Sequence, residues 1–460
     1  MCQGLGRLLG MVGNGLAVLR RGRGILVVIF FLLLLTPTGL TRATGDSSAA
    51  GDDLDQCAYS EQILQHDVLF NRYNGSKLRS GPASTYIPLM AGRFVLLREA
   101  LRGLNCSGVP LVAFDGRRFR PAGTNDDIGL YWLVPAIAAR TGLVLATAFD
   151  LTFGLVIFLG TGIGYAGYWR VFTSRRFRLG GAAVFLALAA LQVVEGDVYV
   201  FQSAPIIAAT PWLVGYAIHQ DRRSLAFTCV LFALAAGCCA VVRSTAGLPC
   251  AAFLALLVLG SYRAPRAVLL LLLLGAASLL PTLLMHHEIK RRDAFLAASP
   301  GAFQEQINRH LFWHAAYVGL GYWSNSEVPA FDDKFAGQKA ESLRPNVIYG
   351  SPEYEATLRH EVWRIFTHEP QIVFINVAVK LAVISAMILA LAIPAISSIL
   401  KREKRLGFDG AFAAGTLTSS LVGLIVAPRP RYLLGMICFV AMYALLSWSL
   451  DQRRRATAQF

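Results

Sequence analysis

The 460-residue chain is 55% hydrophobic, has a positive mean hydropathy and carries repeated apolar runs long enough to cross a bilayer. That excludes a soluble enzyme and predicts an all-α polytopic membrane protein. The net charge of +15 does not point to nucleic acid, because many Lys and Arg residues stand at the ends of apolar runs and no basic patch carries a reading motif.

Residues 1–24 carry Arg7, Arg20, Arg21 and Arg23 and read as a cytoplasmic N-terminus, with the first transmembrane helix at 25–40. A retained span is favoured over a cleaved signal, since the small-residue cleavage pattern around Thr41–Gly45 is poor. Residues 41–142 then form an extracytoplasmic cap loop and an interfacial helix, with helical patterning through Glu61–Phe70 and Ala91–Leu104. Cys57 and Cys106 both fall in this loop, and a disulfide between them marks an oxidising compartment. The six other cysteines lie in the N-terminal tail or in apolar runs, without CxxC or paired-histidine spacing for zinc.

Residues 143–285 read as a six-helix transmembrane block, 286–370 as a second extracytoplasmic segment, 371–450 as a three-helix block and 451–460 as a cytoplasmic basic tail. The short turns alternate, basic at Arg175-Arg176 and Arg222-Arg223, acidic at Glu195-Gly-Asp197. Ten spans with both termini inside satisfy the positive-inside rule, and Arg243, Arg429 and Arg431 are the exceptions.

With that topology Asp126, Asp127, Glu195, Asp197, Arg243, His310, His314, Asp332, Asp333, Arg429 and Arg431 share the extracytoplasmic face. Carboxylates supply proton transfer there and guanidiniums hold an anionic group. Asn125, Asp126 or Asp127 can N-cap the helix that follows, Pro135 should kink it, Gly142 can end it, and Tyr131 and Trp132 sit at headgroup depth. The alternatives for the acidic pair are a helix cap and a general base, since two adjacent acids push one pKa upward.

The acidic pair, the run Gly129-Leu-Tyr-Trp-Leu-Val-Pro-Ala-Ile-Ala-Ala-Arg-Thr-Gly142 leading into a span, the Gly196-Asp197 turn and the late Pro430-Arg431-Tyr432 together resemble the GT-C superfamily. These integral-membrane glycosyltransferases, among them protein mannosyltransferases and the lipid A aminoarabinose transferase, use polyprenyl-phosphate sugars. The resemblance implies a multi-pass protein of the plasma (inner) membrane with an extracytoplasmic active site. Its partners are membrane lipid, a polyprenyl-phosphate-linked sugar donor and a glycan, lipid or protein acceptor, with no nucleic acid. It makes Asp126 or Asp127 the catalytic acid, Glu195 and Asp197 the acidic second-loop position, and Arg429, Arg431 and Tyr432, with Arg243 on the same face, the holders of the donor phosphate. An inserted cap accounts for the about eighty residues between the first span and the acidic pair.

The second segment adds substrate-pocket candidates: His310, Trp313, His314, Tyr317, Trp323, Asp332 and Asp333. Aromatic faces stack on sugar rings, and tight aromatic packing at the membrane surface is the competing reading. His310 and His314 share a helix face, so a divalent cation stays open as a cofactor, although no Glu follows the first His as a metalloprotease requires. Ser351 and Pro352 start a helix whose apolar face is Leu358, Val362, Ile365 and Phe366. A transporter or lipid flippase for envelope components, drawing on Asp150 and Gln192 inside spans, is the alternative function, and an assembly protein with aromatic docking loops a third.

Overall fold

The computed structural model describes residues 89–122, 127–172, 174–195, 198–299, 311–401 and 406–458. The expected first span, the Glu61–Phe70 helix, Cys57, Asp126, Asp197 and His310 lie outside these residues. Before the spans come α1 (Leu89–Ser107), an antiparallel hairpin of β1 (Val112–Phe114) and β2 (Phe119–Pro121), and α2 (Ile128–Thr141). The hairpin turns on Asp115-Gly116, where Gly116 takes φ +96° and the Asp115 carboxylate accepts the N–H groups of Arg117 and Arg118.

The helices that follow are α3 (Leu145–Val171), α4 (Arg175–Glu195), α5 (Val200–Ile218), α6 (Arg222–Val242), α7 (Gly247–Ser261) and α8 (Ala264–Ala298). The polar segment contributes α9 (Phe312–Leu320), α10 (Asp333–Leu343) and α11 (Pro352–His368). The chain then returns through α12 (Pro370–Ala392), the short α13 (Ile396–Lys401), α14 (Leu406–Ile425) and α15 (Leu434–Ala458).

Among the described residues eight helices are long and apolar enough to cross a membrane: α3, α4, α6, α7 with its leading turn, α8, α12 with α13, α14 and α15. The protein is therefore a helical, multi-pass membrane protein. Helix α5, read from the sequence as a further span, is not among the eight, because Gln202, Ser203, Thr210 and two prolines dilute its hydropathy. It is nonetheless 19 residues long and runs through the middle of the bundle, against α3, α6 and α15, with Ile206, Ile207, Leu213 and Val214 buried.

Packing between lipid-embedded helices relies on close approach rather than on exclusion of water. A Cβ at Gly164 of α3 would come within 2.1 Å of the Ile207 carbonyl of α5, and one at Gly260 of α7 within 2.1 Å of the Gly407 Cα of α14. No side chain fits at either crossing.

Helix α8 departs from its expected limit at Met285. It continues to Ala298 and packs the Phe295 ring edge-on against Phe119 of the hairpin, centroids 5.2 Å apart. The polar segment has its own small core of Tyr317, Val318, Val328, Ala336, Ala340, Tyr354, Leu358 and Ile365, resting on Ile372 of α12. Phe366, expected on the buried face of α11, is 44% exposed and packs instead on Trp363.

Candidate functional site

Helix α2 is apolar on every side, so its first two turns, Gly129–Pro135, are buried between α1, α3 and α6. Gly142 ends it in the left-handed conformation, φ +69°, with its N–H on the Ala138 carbonyl. Asp127 occupies the N-cap position, yet its side chain makes no cap hydrogen bond. Asp127 therefore does not cap the helix through its side chain, and the other two cap candidates, Asn125 and Asp126, lie outside the described residues. The carboxylate turns to Arg243, whose Nη1 donates to Oδ1 at 2.9 Å.

Arg243 closes α6 in extended conformation, φ −137° and ψ 107°, which swings its side chain across the end of the bundle. Its second terminal nitrogen donates to the Tyr199 hydroxyl, and the guanidinium lies 4.4 Å from the Tyr199 ring centre. Both members of the ion pair are almost enclosed, at 11% and 7% side-chain exposure. A pair so placed depends on further hydrogen bonds to offset the loss of water, and the Tyr199 hydroxyl supplies one.

The aromatic side of this group continues outward. Tyr199 meets Tyr432 edge to face at 5.2 Å, and Tyr432 meets Phe331 at 6.5 Å. Arg429 lies over Phe331 at 4.6 Å and Arg431 over Tyr432 at 5.7 Å. Each such cation–π contact contributes about 0.5–2 kcal/mol. The two arginines sit in a tight turn in which the Arg429 carbonyl accepts the N–H groups of Tyr432 and Leu433 at 3.0 and 3.1 Å. Residues from five separate connections thus form one chain: Asp127, Arg243, Tyr199, Tyr432, Phe331, Arg429 and Arg431.

Five sequence-predicted residues (Asp127, Arg243, Arg429, Arg431 and Tyr432) are brought together here. Tyr199 is not among the residues the sequence singles out, and Phe331 is read there only as the head of the Phe331-Asp-Asp333 stretch that follows the pocket aromatics. Tyr199 could have been found as the aromatic residue two positions after Asp197 in the acidic turn, and Phe331 as the neighbour of Asp332. Glu195 ends α4 half-buried, and no hydrogen bond or ion pair joins it to the Asp127 group among the described residues.

The remaining candidates form a second group inside the polar segment. His314 is buried, with Nδ1 2.8 Å from the Tyr354 hydroxyl and Nε2 3.2 Å from the Asp333 carboxylate. Glu355 accepts the N–H groups of Trp313 and His314 at 2.9 and 3.0 Å. Tyr349 packs on both His314 and Tyr354, and burial, reinforced by the nearby Asp333 and Glu355, pushes its phenol up. Asp332 caps α10 by accepting the Lys334 N–H, Trp313 packs beside Trp363, and burial pushes the Tyr317 phenol up to about 12. Trp323 is exposed and anchored through its backbone N–H to the Asn376 side chain at 3.0 Å. His314, Tyr317 and Trp313 thus conform to the packing reading.

Beneath them, Lys339 and Arg364 each reach the Glu361 carboxylate at 2.8 Å, and Arg364 also binds Glu327. Burial works against the Glu361 charge, but these two cations hold its carboxyl below the ordinary value. A depressed folded-state value stabilises the fold above the ordinary carboxylate range, and that contribution is lost as pH falls through the depressed value. Thermal unfolding followed from about pH 6 to about pH 3 is expected to show an acid-side loss of stability that Glu361→Gln flattens. An unchanged slope in that variant would dismiss the network as the cause.

Cys106 is disulfide-bonded, while Cys229, Cys238, Cys239, Cys250 and Cys438 are free and buried. Among the described residues no three His, Cys, Asp or Glu side chains converge as a metal centre. No protein-family model, curated protein or solved structure matches the chain.

Proposed function

We propose that the protein is a GT-C-type membrane glycosyltransferase, moving a sugar from a polyprenyl-phosphate donor to a glycan, lipid or protein acceptor at the extracytoplasmic face of the plasma (inner) membrane. Ten spans with both termini cytoplasmic put the hairpin and the 286–370 segment on that face. The observation that carries the reading is the convergence of the Asp127 carboxylate with Arg243, Arg429 and Arg431 at one end of an apolar bundle. An acid and a set of guanidiniums, bridged by aromatic rings, are the groups such a transfer needs.

In this reaction Asp126 or Asp127 takes the proton from an acceptor hydroxyl. The freed oxygen bonds to the anomeric carbon as the bond from that carbon to the phosphate oxygen breaks, with inversion. The electron pair leaves on the polyprenyl phosphate, where Arg429 and Arg431 neutralise the added charge. The Tyr199, Tyr432 and Phe331 rings offer stacking faces for the sugar.

Asp127→Asn preserves shape and removes the base. It is expected to lower transfer about 10²-fold or more at normal membrane expression, measured by mass spectrometry of envelope glycolipids and glycans. Full product from both Asp126→Asn and Asp127→Asn would sink the reading. The alternative, a transporter or flippase for envelope components, is favoured by one observation, the charge of Lys380 buried within α12. It predicts normal glycan structures on the wrong side of the membrane, in place of missing ones.

A further inference from the structure

Lys380 is the one charged residue between Gln371 and Leu400, and it is 3% exposed. Leu or Met would fill the same space without the cost of taking an ammonium group out of water, several kcal/mol in order of magnitude. Its charge must therefore have work to do. The Nζ donates to the carbonyls of Leu424 and Ile425, at 3.0 and 3.2 Å. These belong to the last turn of α14, where carbonyls lack partners within the helix and the helix dipole favours a cation.

One other element, α9, meets the same helix end. Gly319 of α9 packs so closely that a Cβ there would come within 2.0 Å of the Ile425 oxygen. One turn before Lys380 on the same face of α12, Asn376 accepts the Trp323 N–H and donates to the Ile372 carbonyl. Only Val426, Ala427 and Pro428 separate this junction from Arg429. The Val426 N–H bonds the Val422 carbonyl at 2.9 Å and the Arg429 N–H bonds the Ala427 carbonyl at 2.8 Å, while Pro428 and Pro430 bracket Arg429. This link has little slack. A shift of the α14 end therefore carries the Arg429–Tyr432 turn with it.

We propose that Lys380 is a positioning residue, whose ammonium fixes the end of α14 and through the Val426–Pro430 link sets where Arg429 and Arg431 stand against Phe331 and Tyr432. Its role in transfer rests on the reading above, in which those arginines hold the donor phosphate. Lys380→Met removes the charge at matched length, Lys380→Arg retains it, and Lys380→Gln stands in if the Met variant does not fold.

The test uses full-length protein in nanodiscs with undecaprenyl phosphate as the probe. In Lys380→Met, hydrogen exchange over residues 426–433 is expected to quicken about tenfold or more, with the later turns of α15 unchanged. Probe affinity is expected to fall about tenfold, Lys380→Arg to restore most of it, and Arg429→Gln to cost much less in the Met background than alone. Wild-type exchange in that turn of Lys380→Met, or fully additive losses in the double variant, would overturn the proposal. Faster exchange in Lys380→Met alongside a wild type that ignores the probe supports the positioning of the turn and refutes the phosphate reading.

Discussion

Arg243→Leu is expected to be the most damaging single substitution in the site. Asp127 is 5% exposed, so removing its cation leaves a buried carboxylate without its main partner. Breaking such a pair on one side costs about 3–5 kcal/mol. Thermal unfolding in detergent should show the loss, and transfer should fall below detection because the Tyr199 hydroxyl loses its donor at the same time.

The double replacement Asp127→Leu with Arg243→Leu separates the two roles. Apolar groups of similar volume in place of a buried pair are often neutral or better for stability, by about 1–4 kcal/mol. The double variant is expected to regain most of its stability and stay inactive. Arg243→Lys keeps the charge but not the planar fork that reaches Asp127 and Tyr199 together, so it should fall between. An Arg243→Leu protein as stable and active as the wild type would remove the ion pair from the site.

The second large effect is expected at Glu355. Its carboxylate accepts two N–H groups from the first turn of α9, although it belongs to α11 about forty residues later. Helix starts leave such donors unpaired, and nearby residues usually cap them. Here α11 does so, and the charge also suits the positive helix end. Glu355→Ala should destabilise the 311–370 segment by about 3 kcal/mol, since two charge-assisted hydrogen bonds are lost at a buried place. Glu355→Gln should recover little, because its NH2 group would face one of the two N–H donors. Limited proteolysis of that segment, with the fluorescence of Trp313 and Trp363, reads the outcome. Wild-type resistance in the Ala variant would show that the cap is dispensable.

Much of the architecture was legible because a bilayer imposes a simple rule, about twenty apolar residues per crossing. The site was legible in part for a related reason: charged groups at span ends are few, and Asp127, Arg243, Arg429 and Arg431 stood out against apolar flanks. Tyr199 did not stand out, since one tyrosine in a turn is ordinary and its value lies in meeting Arg243 from another helix. Lys380 was hidden by its neighbours, because one lysine hardly lowers the average of a thirty-residue apolar run. Gln192, conspicuous in the sequence, accepts from the Ser203 hydroxyl of α5 at 2.9 Å and serves helix packing. The hairpin rested on only three residues per strand, too few for a period to show, although Asp115-Gly116 was a turn signal.

Helix α8 carries one more implication. At 1.5 Å per residue its 35 residues make a rod about 52 Å long, well beyond an apolar layer of about 30 Å. Polar residues from His286 onward form the projecting part, and Phe295 near its tip props the hairpin through Phe119. Such a rod answers a change in acyl-chain length by tilting, and tilting moves its tip sideways far more than its buried end. The hairpin, which continues toward the start of α2, would ride on that lever. A change in lipid thickness is thereby expected to act first on the hairpin that precedes α2, through the Phe295–Phe119 contact.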